Sequence, residues 1–590
     1  MNGAKVTNSG HLSMPETGSL LNWLSTANKK ITLLNPYGVY LCPNYSGMRK
    51  LLFTFMLLVS IVALQAQQKS GSGQAVPRPK LVVGIMVDQM RWDYLYRYYD
   101  RYSDKGFRRM LREGASCENT MIPYAQTVTA AGHTSVYTGS TPALHGIMGN
   151  EWFDKQLNRE IYCAEDKTVK IVGAEKGEPM SPANLWATTI CDELRIATNF
   201  RAKTIGIAIK DRGGILPAGH SANAAYWYDG TTGNWITSTY YMQQLPEWAD
   251  RFNKKRWVDT LYKNDWNTLF PINSYLQSTS DNKSYEGKFG HEAAPVFPHD
   301  LRSRMGKDYG TIRVTPFGNT LTLQFSKEAL KAEGLGKDAI TDFLAISLSS
   351  PDYIGHQFGP NSIEAEDNYL RLDRDLADFF SFLDKEVGAG QYTVFLTADH
   401  AVAHVPGFNE ENKLPGRSIA SSTTDLNKKV QEKFRVSSVV RASANYQIYL
   451  NDAAIDSVGA DRKEIKNFII KYLNQLPDVL IAFDNEEVSA ANLPSGVKEM
   501  FLKGYNTKRA GDIQIVLKSG SFFGGKTGTT HGSFYSYDAH IPLLFMGWGI
   551  QPGKLNREVY MTDIAPTIAA ILRIQAPSAT IGKPIPEVIR

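Results

Sequence analysis

The segment LVVGIMVD, residues 81–88, determines the fold class. Its apolar residues follow one another without the polar alternation of a half-exposed strand, and they end at Asp88. Such a run is typical of a strand buried on both faces, inside a parallel sheet that helices cover. Open α/β sheets bind their ligands beyond the carboxyl ends of the strands. We therefore expect Asp88 to lie at a functional edge of the sheet.

Two later segments repeat this pattern. The run DFLAISL at 342–348 leads through a short loop to Asp352, and YTVFLT at 392–397 leads to Asp399. A further strand is predicted at 203–209, and helices are predicted at 187–199, 363–386, 461–473 and 562–574. The sequence thus predicts an α/β fold with a largely parallel central sheet flanked by helices and with inserted cap segments at about 226–335 and 405–510.

Charge and cysteine content exclude several classes of protein. The 590 residues carry 64 basic and 59 acidic side chains, a net charge of +5, without a dense basic tract. Nucleic acid is therefore not expected as a specific partner. The four cysteines form no CxxC pair, which excludes cysteine-rich zinc motifs. Any metal ion must be held by histidines and carboxylates.

The N-terminal region has the features of a targeting signal. Met48-Arg49-Lys50 precedes the apolar run LLFTFMLLVSIVAL, and Ala66 offers a cleavage site. This indicates a signal peptide at 48–66 followed by a linker at 67–80, and the apolar run is short for a membrane span. An uncleaved anchor is the alternative. We expect residues 1–47 to be a gene-model extension and the mature protein to be periplasmic or secreted, with no stable membrane span.

A hydroxyl group stands out in MIPYAQTVTAAGHTSVYTGSTPALHGIMGNEWF, residues 121–153. Thr129 precedes small residues and a segment compatible with a helix. Free N–H groups and the positive end of the helix dipole favour an anion at such a position. The alternative is that Thr129 only caps the helix.

Histidines accompany the three strand-end aspartates. His356 lies four residues after Asp352, His400 follows Asp399, and His531 lies in a late Gly/Thr loop. Taken singly, each of these residues has an ordinary structural explanation. If all six meet at one sheet edge, their nitrogen and oxygen donors can hold two divalent cations, for which zinc is the most suitable.

Several motifs in this order resemble the alkaline phosphatase superfamily, and within it the secreted phosphate-irrepressible alkaline phosphatases of the PafA type. The resemblance covers roughly 80–590 and rests on LVVGIMVDQM, TVTAAGHTS…GSTPALHGIMGNEWFD, KDRGGILPAGH, SPDYIGHQFGP, TADHA, GTTHGSFYSYDAHIPLLFMG and TDIAPTIAAIL. It implies that residues 81–590 form one alkaline-phosphatase-like catalytic domain with insertions. Ala401 departs from the Gly that many superfamily members have after the acid–histidine pair.

The resemblance also implies the roles of individual residues. Thr129 would be the nucleophile of a phosphate monoester hydrolase, passing through a phosphothreonine intermediate at a site with two Zn²⁺ ions. One zinc would be held by Asp352, His356 and His531, and the other by Asp88, Asp399, His400 and the Thr129 oxygen. The phosphoryl oxygens would be bound by Asn150, Lys210 and Arg212.

Lys210 and Arg212 favour monoesters as substrates. A monoester dianion has three charged oxygens to neutralise, whereas a diester has two and carries a second organic group. Lys210 would also occupy the place of a magnesium ion found in some relatives, so no third metal is expected. The expected partners are small-molecule phosphate monoesters, and a monomer is expected.

Two alternatives remain open at this point. A phosphodiesterase or nucleotide pyrophosphatase could use the same core with a pocket built from the aromatic hairpin predicted at 226–241. A non-catalytic glycan-binding protein could use Trp227 and Trp235, although packing between strands explains these residues better. His133, His145, His220, His404 and His540 are interpreted as packing residues or as groups that orient ligands.

Overall fold

The computed structural model describes residues 50, 54–56, 76–420 and 423–590. The segment 1–47 lies outside these residues, as do nearly all of the predicted signal peptide and most of the linker. The chain divides into two units, Met1–Val76 and Pro77–Arg590, and the elements described below belong to the second. Within the described residues no helix is both long enough and apolar enough to cross a membrane.

A ten-stranded sheet forms the centre of the second unit. Its five middle strands are parallel to one another, and antiparallel neighbours extend the sheet on both sides. In spatial order its strands are Gly553–Leu555, Ala115–Cys117, Leu543–Gly547, Tyr392–Thr397, Leu81–Val87, Asp342–Leu348, Thr204–Ala208, Ala224–Asp229, Asn234–Ser238 and Ile171–Val172. This confirms the predicted α/β class with a largely parallel sheet.

The three strands that the sequence singled out lie side by side. Leu81–Val87 pairs in parallel with Asp342–Leu348 on one side and with Tyr392–Thr397 on the other. Every residue of these strands is buried. Val87 is in register with Leu348, and Met86 with Thr397. The strands therefore end at the same level, and the residues that follow them meet at one edge.

Helices and short strands complete the unit. The predicted helices are observed at Ile190–Ala197, Ile363–Leu383, Arg462–Leu473 and Ile564–Leu572, and Asp461 caps the third by accepting a bond from Glu464 N. The remaining α-helices are Tyr94–Arg97, Phe107–Glu113, Thr129–Thr138, Pro142–His145, Asp211–Ala218, Glu247–Lys254, Trp257–Leu261, Phe317–Glu333, Ser350–Phe358, Pro406–Glu411, Thr423–Phe434, Asp452–Asp456, Ser495–Gly504 and Ser536–Ala539. The strands outside the central sheet are Thr120–Met121, Glu151–Asp154, Arg159–Tyr162, Ser418–Ile419, Val440–Ala444, Gln447–Leu450, Val479–Asp484, Ile513–Leu517, Phe522–Phe523, His540–Ile541 and Val559–Tyr560.

The aromatic hairpin is part of the central sheet. Its strands Ala224–Asp229 and Asn234–Ser238 pair antiparallel, and the first continues the parallel set. Trp227 is 5% exposed and Trp235 is 1% exposed. The Trp235 ring stacks on Phe325 with the ring centroids 4.5 Å apart. These tryptophans therefore pack in the core, and neither is placed to bind a glycan at the surface.

A smaller sheet forms within the second inserted region. It contains Val440–Ala444, Gln447–Leu450, Ile513–Leu517 and Val479–Asp484 in that order, so it continues beyond residue 510. Helices Thr423–Phe434 and Arg462–Leu473 contribute Val430 and Ile469 to a separate apolar core with this sheet.

His299 lies between two glutamates in the long connection that precedes the helix Phe317–Glu333. Its Nδ1 is 3.0 Å from Glu292 Oε2, its Nε2 is 3.1 Å from Glu364 Oε1, and the side chain is fully buried. Burial alone would lower the pKa of His299, but the two carboxylates outweigh burial and raise this pKa to about 9.

The thermal stability is therefore expected to fall as the pH rises from about 6.5 to about 9. Because the pKa of His299 is higher in the folded chain than in the unfolded chain, its contribution is complete below about pH 6.5 and is lost through about pH 9. A shift of this size corresponds to about 3 kcal/mol. Thermal midpoints of wild type, His299→Gln and the control His220→Gln, measured across this range, check the expectation. Equal slopes in wild type and His299→Gln would contradict it.

Candidate active site

Acidic side chains meet beyond the carboxyl ends of the three central strands. Asp88 directly follows its strand, and Asp399 lies two residues after the strand Tyr392–Thr397. Asp352 lies in the first turn of the helix Ser350–Phe358, where the sequence predicted a loop. The three carboxylates are 0%, 0% and 2% exposed, respectively. The convergence predicted from the strand ends is present.

Thr129 is the first residue of the helix Thr129–Thr138. The preceding residue, Val128, occupies the cap position and makes no side-chain cap bond. The Thr129 hydroxyl lies 3.5 Å from His400 Nε2 and 3.5 Å from Lys210 Nζ. It is buried among the functional groups and does not serve as a helix cap, which removes the structural alternative for this residue.

The helix that carries Thr129 approaches the strand end very closely. A Cβ on Gly132 would lie 2.3 Å from the Asp399 carbonyl oxygen, so only glycine permits this approach. At the start of the helix, Asn150 Oδ1 accepts a bond from Ala130 N at 3.0 Å. The carboxamide of Asn150 is thereby fixed beside Thr129, with its NH₂ group available to other acceptors.

Two sets of side chains have the spacing of metal ligands. Asp88, Asp399 and His400 form one, and Asp352, His400 and His531 form the other; in each, one donor atom per residue lies within 4.8 Å of the rest. Asp88 Oδ1 is buried, accepts no hydrogen bond from the described residues and lies 3.6 Å from His400 Nε2. An acceptor of this kind, among carboxylates and imidazoles, fits a bound divalent cation.

The three histidines are oriented in the same way. Nδ1 of His356 lies 2.8 Å from the Thr529 carbonyl, that of His531 lies 2.6 Å from the Thr127 carbonyl, and that of His400 lies 3.0 Å from its neighbour's carbonyl. A carbonyl fixes the proton on Nδ1, because it can only accept. Nε2 of each histidine is the ring nitrogen that this contact leaves available to bind a metal ion. His356 Nε2 lies 3.1 Å from Asp352 Oδ1, and His531 Nε2 lies 3.5 Å from the same oxygen.

Lys210 places a positive charge between the carboxylates of Asp88 and Asp352. It follows the strand Thr204–Ala208 and precedes the helix Asp211–Ala218. Its Nζ lies 2.9 Å from Asp88 Oδ2 and 2.5 Å from Asp352 Oδ2. Burial alone would lower the pKa of Lys210, but Asp352 and Asp88 outweigh it and raise this pKa. The ammonium group therefore stays charged in a buried position.

The acids and histidines of the site have strongly altered pKa values. Burial and the nearby Asp399 raise the pKa of Asp88 well above its ordinary value. Burial would also raise the pKa of Asp352, but His356 and Lys210 outweigh it and hold this pKa well below the ordinary range. Burial lowers the pKa of His400 to about 3. His400 is therefore neutral at physiological pH, the form in which imidazole binds a metal.

Comparison with known proteins agrees with this geometry. Residues 82–539 match the family described as type I phosphodiesterase / nucleotide pyrophosphatase, which lies within the alkaline phosphatase superfamily. The chain is 52% identical over 525 residues to alkaline phosphatase PhoV of Synechococcus elongatus, covering 89% of this chain and 95% of that protein. It is 49% identical over 540 residues to alkaline phosphatase PafA of Elizabethkingia meningoseptica, with coverage of 90% and 98%.

The chain belongs to the alkaline phosphatase superfamily. The crystal structure of wild-type alkaline phosphatase PafA matches with a TM-score of 0.86 at 50% identity, covering 88% of this chain and all of that one. A further relative, 52% identical over 528 residues with coverage of 88% and 96%, is a Myroides odoratus protein named calcium-transporting ATPase. The family resemblance and the fold inferred from the sequence motifs are thus confirmed.

Two residues of this superfamily member support the site, and sequence reasoning did not foresee their roles. Gln89 has a φ of +65°. Its main-chain N donates to Asp399 Oδ1 at 3.1 Å, and its Nε2 donates to Asp352 Oδ1 at 2.7 Å. Tyr162 contacts Arg212, as described below. Adjacency to Asp88 was the only signal for Gln89, and no local pattern pointed to Tyr162.

His133 and His404 contact groups near the site. His133 Nδ1 lies 2.9 Å from the Thr129 carbonyl and 3.2 Å from Asp399 Oδ2, and its Nε2 contacts the Ser347 hydroxyl at 2.8 Å. His133 thus contacts both the first turn of the helix Thr129–Thr138 and a carboxylate. His404 instead contacts Asn361 through Nδ1 at 2.7 Å.

Proposed function

We propose that this alkaline phosphatase hydrolyses phosphate monoesters by nucleophilic attack of Thr129. The observation that carries the proposal is the placement of the buried Thr129 hydroxyl. Thr129 is the first residue of a helix, and its hydroxyl does not cap that helix. The hydroxyl oxygen lies 3.5 Å from both His400 Nε2 and Lys210 Nζ. The alkaline phosphatases PhoV and PafA, at about 50% identity, support phosphomonoester hydrolysis as the reaction.

Seven residues are proposed as metal ligands. Asp352, His356 and His531 would hold one Zn²⁺, and Asp88, Asp399, His400 and the Thr129 oxygen would hold the other. Bound zinc would supply a Lewis acid and would lower the pKa of a hydroxyl or water in the site. The protein's part is to fix the ligand nitrogens through the backbone contacts of each Nδ1 and to keep the carboxylates buried.

The chemistry at Thr129 proceeds in two displacements. The Thr129 oxygen forms a bond to phosphorus while the bond from phosphorus to the leaving alcohol breaks, which gives a phosphothreonine. A water molecule then attacks the same phosphorus, the bond to Thr129 breaks, and inorganic phosphate leaves. The positive end of the dipole of the helix Thr129–Thr138 favours the anionic phosphoryl group throughout.

Three side chains are proposed to bind the non-bridging phosphoryl oxygens. Asn150 presents its NH₂ group because its oxygen is already engaged by Ala130 N. Lys210 supplies a buried ammonium 3.5 Å from the Thr129 hydroxyl. Arg212 supplies a half-buried planar guanidinium that can contact two oxygens at once. Two fixed positive charges match a monoester dianion better than a diester monoanion.

The number of metal ions, the cellular location and the oligomeric state of the enzyme are part of the same proposal. The ammonium of Lys210, between Asp88 and Asp352, supports two metals without a third, because it already supplies a cation there. The apolar run after Met48-Arg49-Lys50 supports a signal peptide and a periplasmic or secreted enzyme. We propose that the enzyme acts as a monomer on small phosphate monoesters.

The proposal is tested by comparing p-nitrophenyl phosphate with bis-p-nitrophenyl phosphate as substrates. Wild type is expected to prefer the monoester strongly. Lys210→Ala/Arg212→Ala is expected to lower kcat/KM for the monoester by about 10³-fold, because each charged contact contributes about 1.5–3 kcal/mol. Diester hydrolysis should change much less.

A matched control changes one exposed lysine and one exposed arginine, as Arg251→Ala/Lys254→Ala on the helix Glu247–Lys254. It should retain wild-type kinetics. Diester turnover that equals or exceeds monoester turnover and is indifferent to Lys210→Ala/Arg212→Ala would identify the enzyme as a phosphodiesterase instead.

A further inference from the structure

Tyr162 connects two of the proposed phosphoryl-binding residues. The strands Glu151–Asp154 and Arg159–Tyr162 form a hairpin that begins directly after Asn150. At its other end, Cys163 N donates to the Asn150 carbonyl at 2.9 Å. Tyr162 is the last residue of this hairpin, so its position is tied to that of Asn150.

The Tyr162 hydroxyl also contacts Arg212. Arg212 Nη1 donates to it at 3.0 Å, and the hydroxyl in turn donates to the Asp211 carboxylate. The same Asp211 oxygen accepts from Arg212 N at 2.5 Å. These bonds form a chain from Asp211 through Tyr162 to the guanidinium.

Arg212 has few other partners. Among the described residues no carboxylate lies within 4.0 Å of its guanidinium, and its Nε is buried without a hydrogen-bond partner. A guanidinium has five N–H donors in a fixed plane. One contact to a phenol therefore sets the direction of the plane and leaves most of the donors for a ligand.

A phenol orients the guanidinium without cancelling its charge. A carboxylate in the same place would neutralise Arg212 and weaken its attraction for a phosphoryl dianion. Burial, and then the nearby Asp211, raise the pKa of Tyr162 well above its ordinary value. The phenol thus stays neutral in alkaline solution, and the charge of Arg212 remains available.

We propose that Tyr162 is a positioning residue that directs Arg212 toward the phosphoryl oxygens and so contributes to the preference for monoesters over diesters. This inference rests on the proposed role of Arg212. It assigns to the hairpin after Asn150 a function in specificity. Removing only the hydroxyl should leave the hairpin in place and release the guanidinium from its orientation.

The test is a double-mutant cycle with Tyr162→Phe, Arg212→Ala and the combined variant. For each, kcat/KM is measured on p-nitrophenyl phosphate and on bis-p-nitrophenyl phosphate. We expect Tyr162→Phe to lower the monoester value about tenfold or more while changing the diester value little. In the Arg212→Ala background, Tyr162→Phe should have no further effect on the monoester.

The control is Tyr240→Phe, which removes a hydroxyl that donates to the His220 carbonyl and should leave both values unchanged. Equal losses on both substrates, or a loss by Tyr162→Phe that persists without Arg212, would show a merely structural role and overturn the inference. If Arg212→Ala lowers monoester hydrolysis but Tyr162→Phe does not, only the inference fails. If Arg212→Ala has no effect, the proposed role of Arg212 fails together with it.

Discussion

Removal of divalent metal ions is expected to abolish phosphate monoester hydrolysis, with a loss on the order of 10⁴-fold or more in kcat/KM. The site places Asp88, Asp352 and Asp399 together in a buried volume, where the Lys210 ammonium contacts two of them. Without cations the Thr129 hydroxyl stays protonated, as an ordinary alcohol does. It is then a poor nucleophile.

The measurement is the rate on p-nitrophenyl phosphate after exhaustive chelation, with the metal content of the same sample determined by elemental analysis. Adding back Zn²⁺ should restore the rate as two ions bind per chain. Magnesium alone should not restore it, because imidazole nitrogens are poor ligands for that ion. Full activity in a sample shown to be free of metal would contradict the proposed site.

Replacement of Thr129 by alanine is expected to lower kcat by about 10⁴-fold or more, because the attacking oxygen is lost. The fold should tolerate the change, since the hydroxyl makes no cap bond to the helix. Thr129→Ser keeps an oxygen at the same position and should retain substantial activity. Initial rates and thermal midpoints of the three proteins, measured with zinc present, check this expectation.

A suitable control lies on the same helix. Thr134 is also buried, but its hydroxyl donates to the Ala130 carbonyl at 2.7 Å and does not face the site. Thr134→Ala should cost stability and leave the rate per folded molecule largely unchanged. If Thr129→Ala retained wild-type kcat, Thr129 could not be the nucleophile.

The strand-end residues were the predictable part of the site. A run of apolar residues on both faces of a strand identifies a parallel sheet, and parallel strands must end at one edge. Asp88 and Asp399 therefore could be placed from the sequence with little else known. Assigning each of them to a particular metal required the family resemblance, because spacing does not distinguish between two sets of ligands that share His400.

Contacts between distant segments could not be predicted in this way. Tyr162 reaches Asp211 and Arg212 across 49 and 50 residues, respectively, and nothing in the local sequence indicates this. The second inserted region likewise reaches back to the site, since Asn445 Nδ2 donates to the Glu151 carbonyl at 2.8 Å. Such pairs depend on the tertiary fold, which local patterns do not encode.

The helix Phe317–Glu333 is one of those that the sequence did not predict, and the physical reason is different. Its first turn contains Gly318 and Asn319, both poor helix formers, and the helix buries polar residues such as Thr322 and Ser326 along with its apolar ones. Burial around more than one side of the helix removes the amphipathic period by which helices are recognised. The sequence of this region therefore predicts only an inserted cap.

Trapping the covalent intermediate identifies the residue that attacks phosphorus. Wild-type enzyme with zinc bound is mixed with a ³²P-labelled monoester, quenched in acid within one turnover and digested, and the labelled peptide is sequenced by mass spectrometry. Our account predicts one phosphate on Thr129 in wild type and none on the corresponding peptide from Thr129→Ala. Label on another residue, or turnover of the monoester without any labelled threonine under conditions that trap it, would contradict the account.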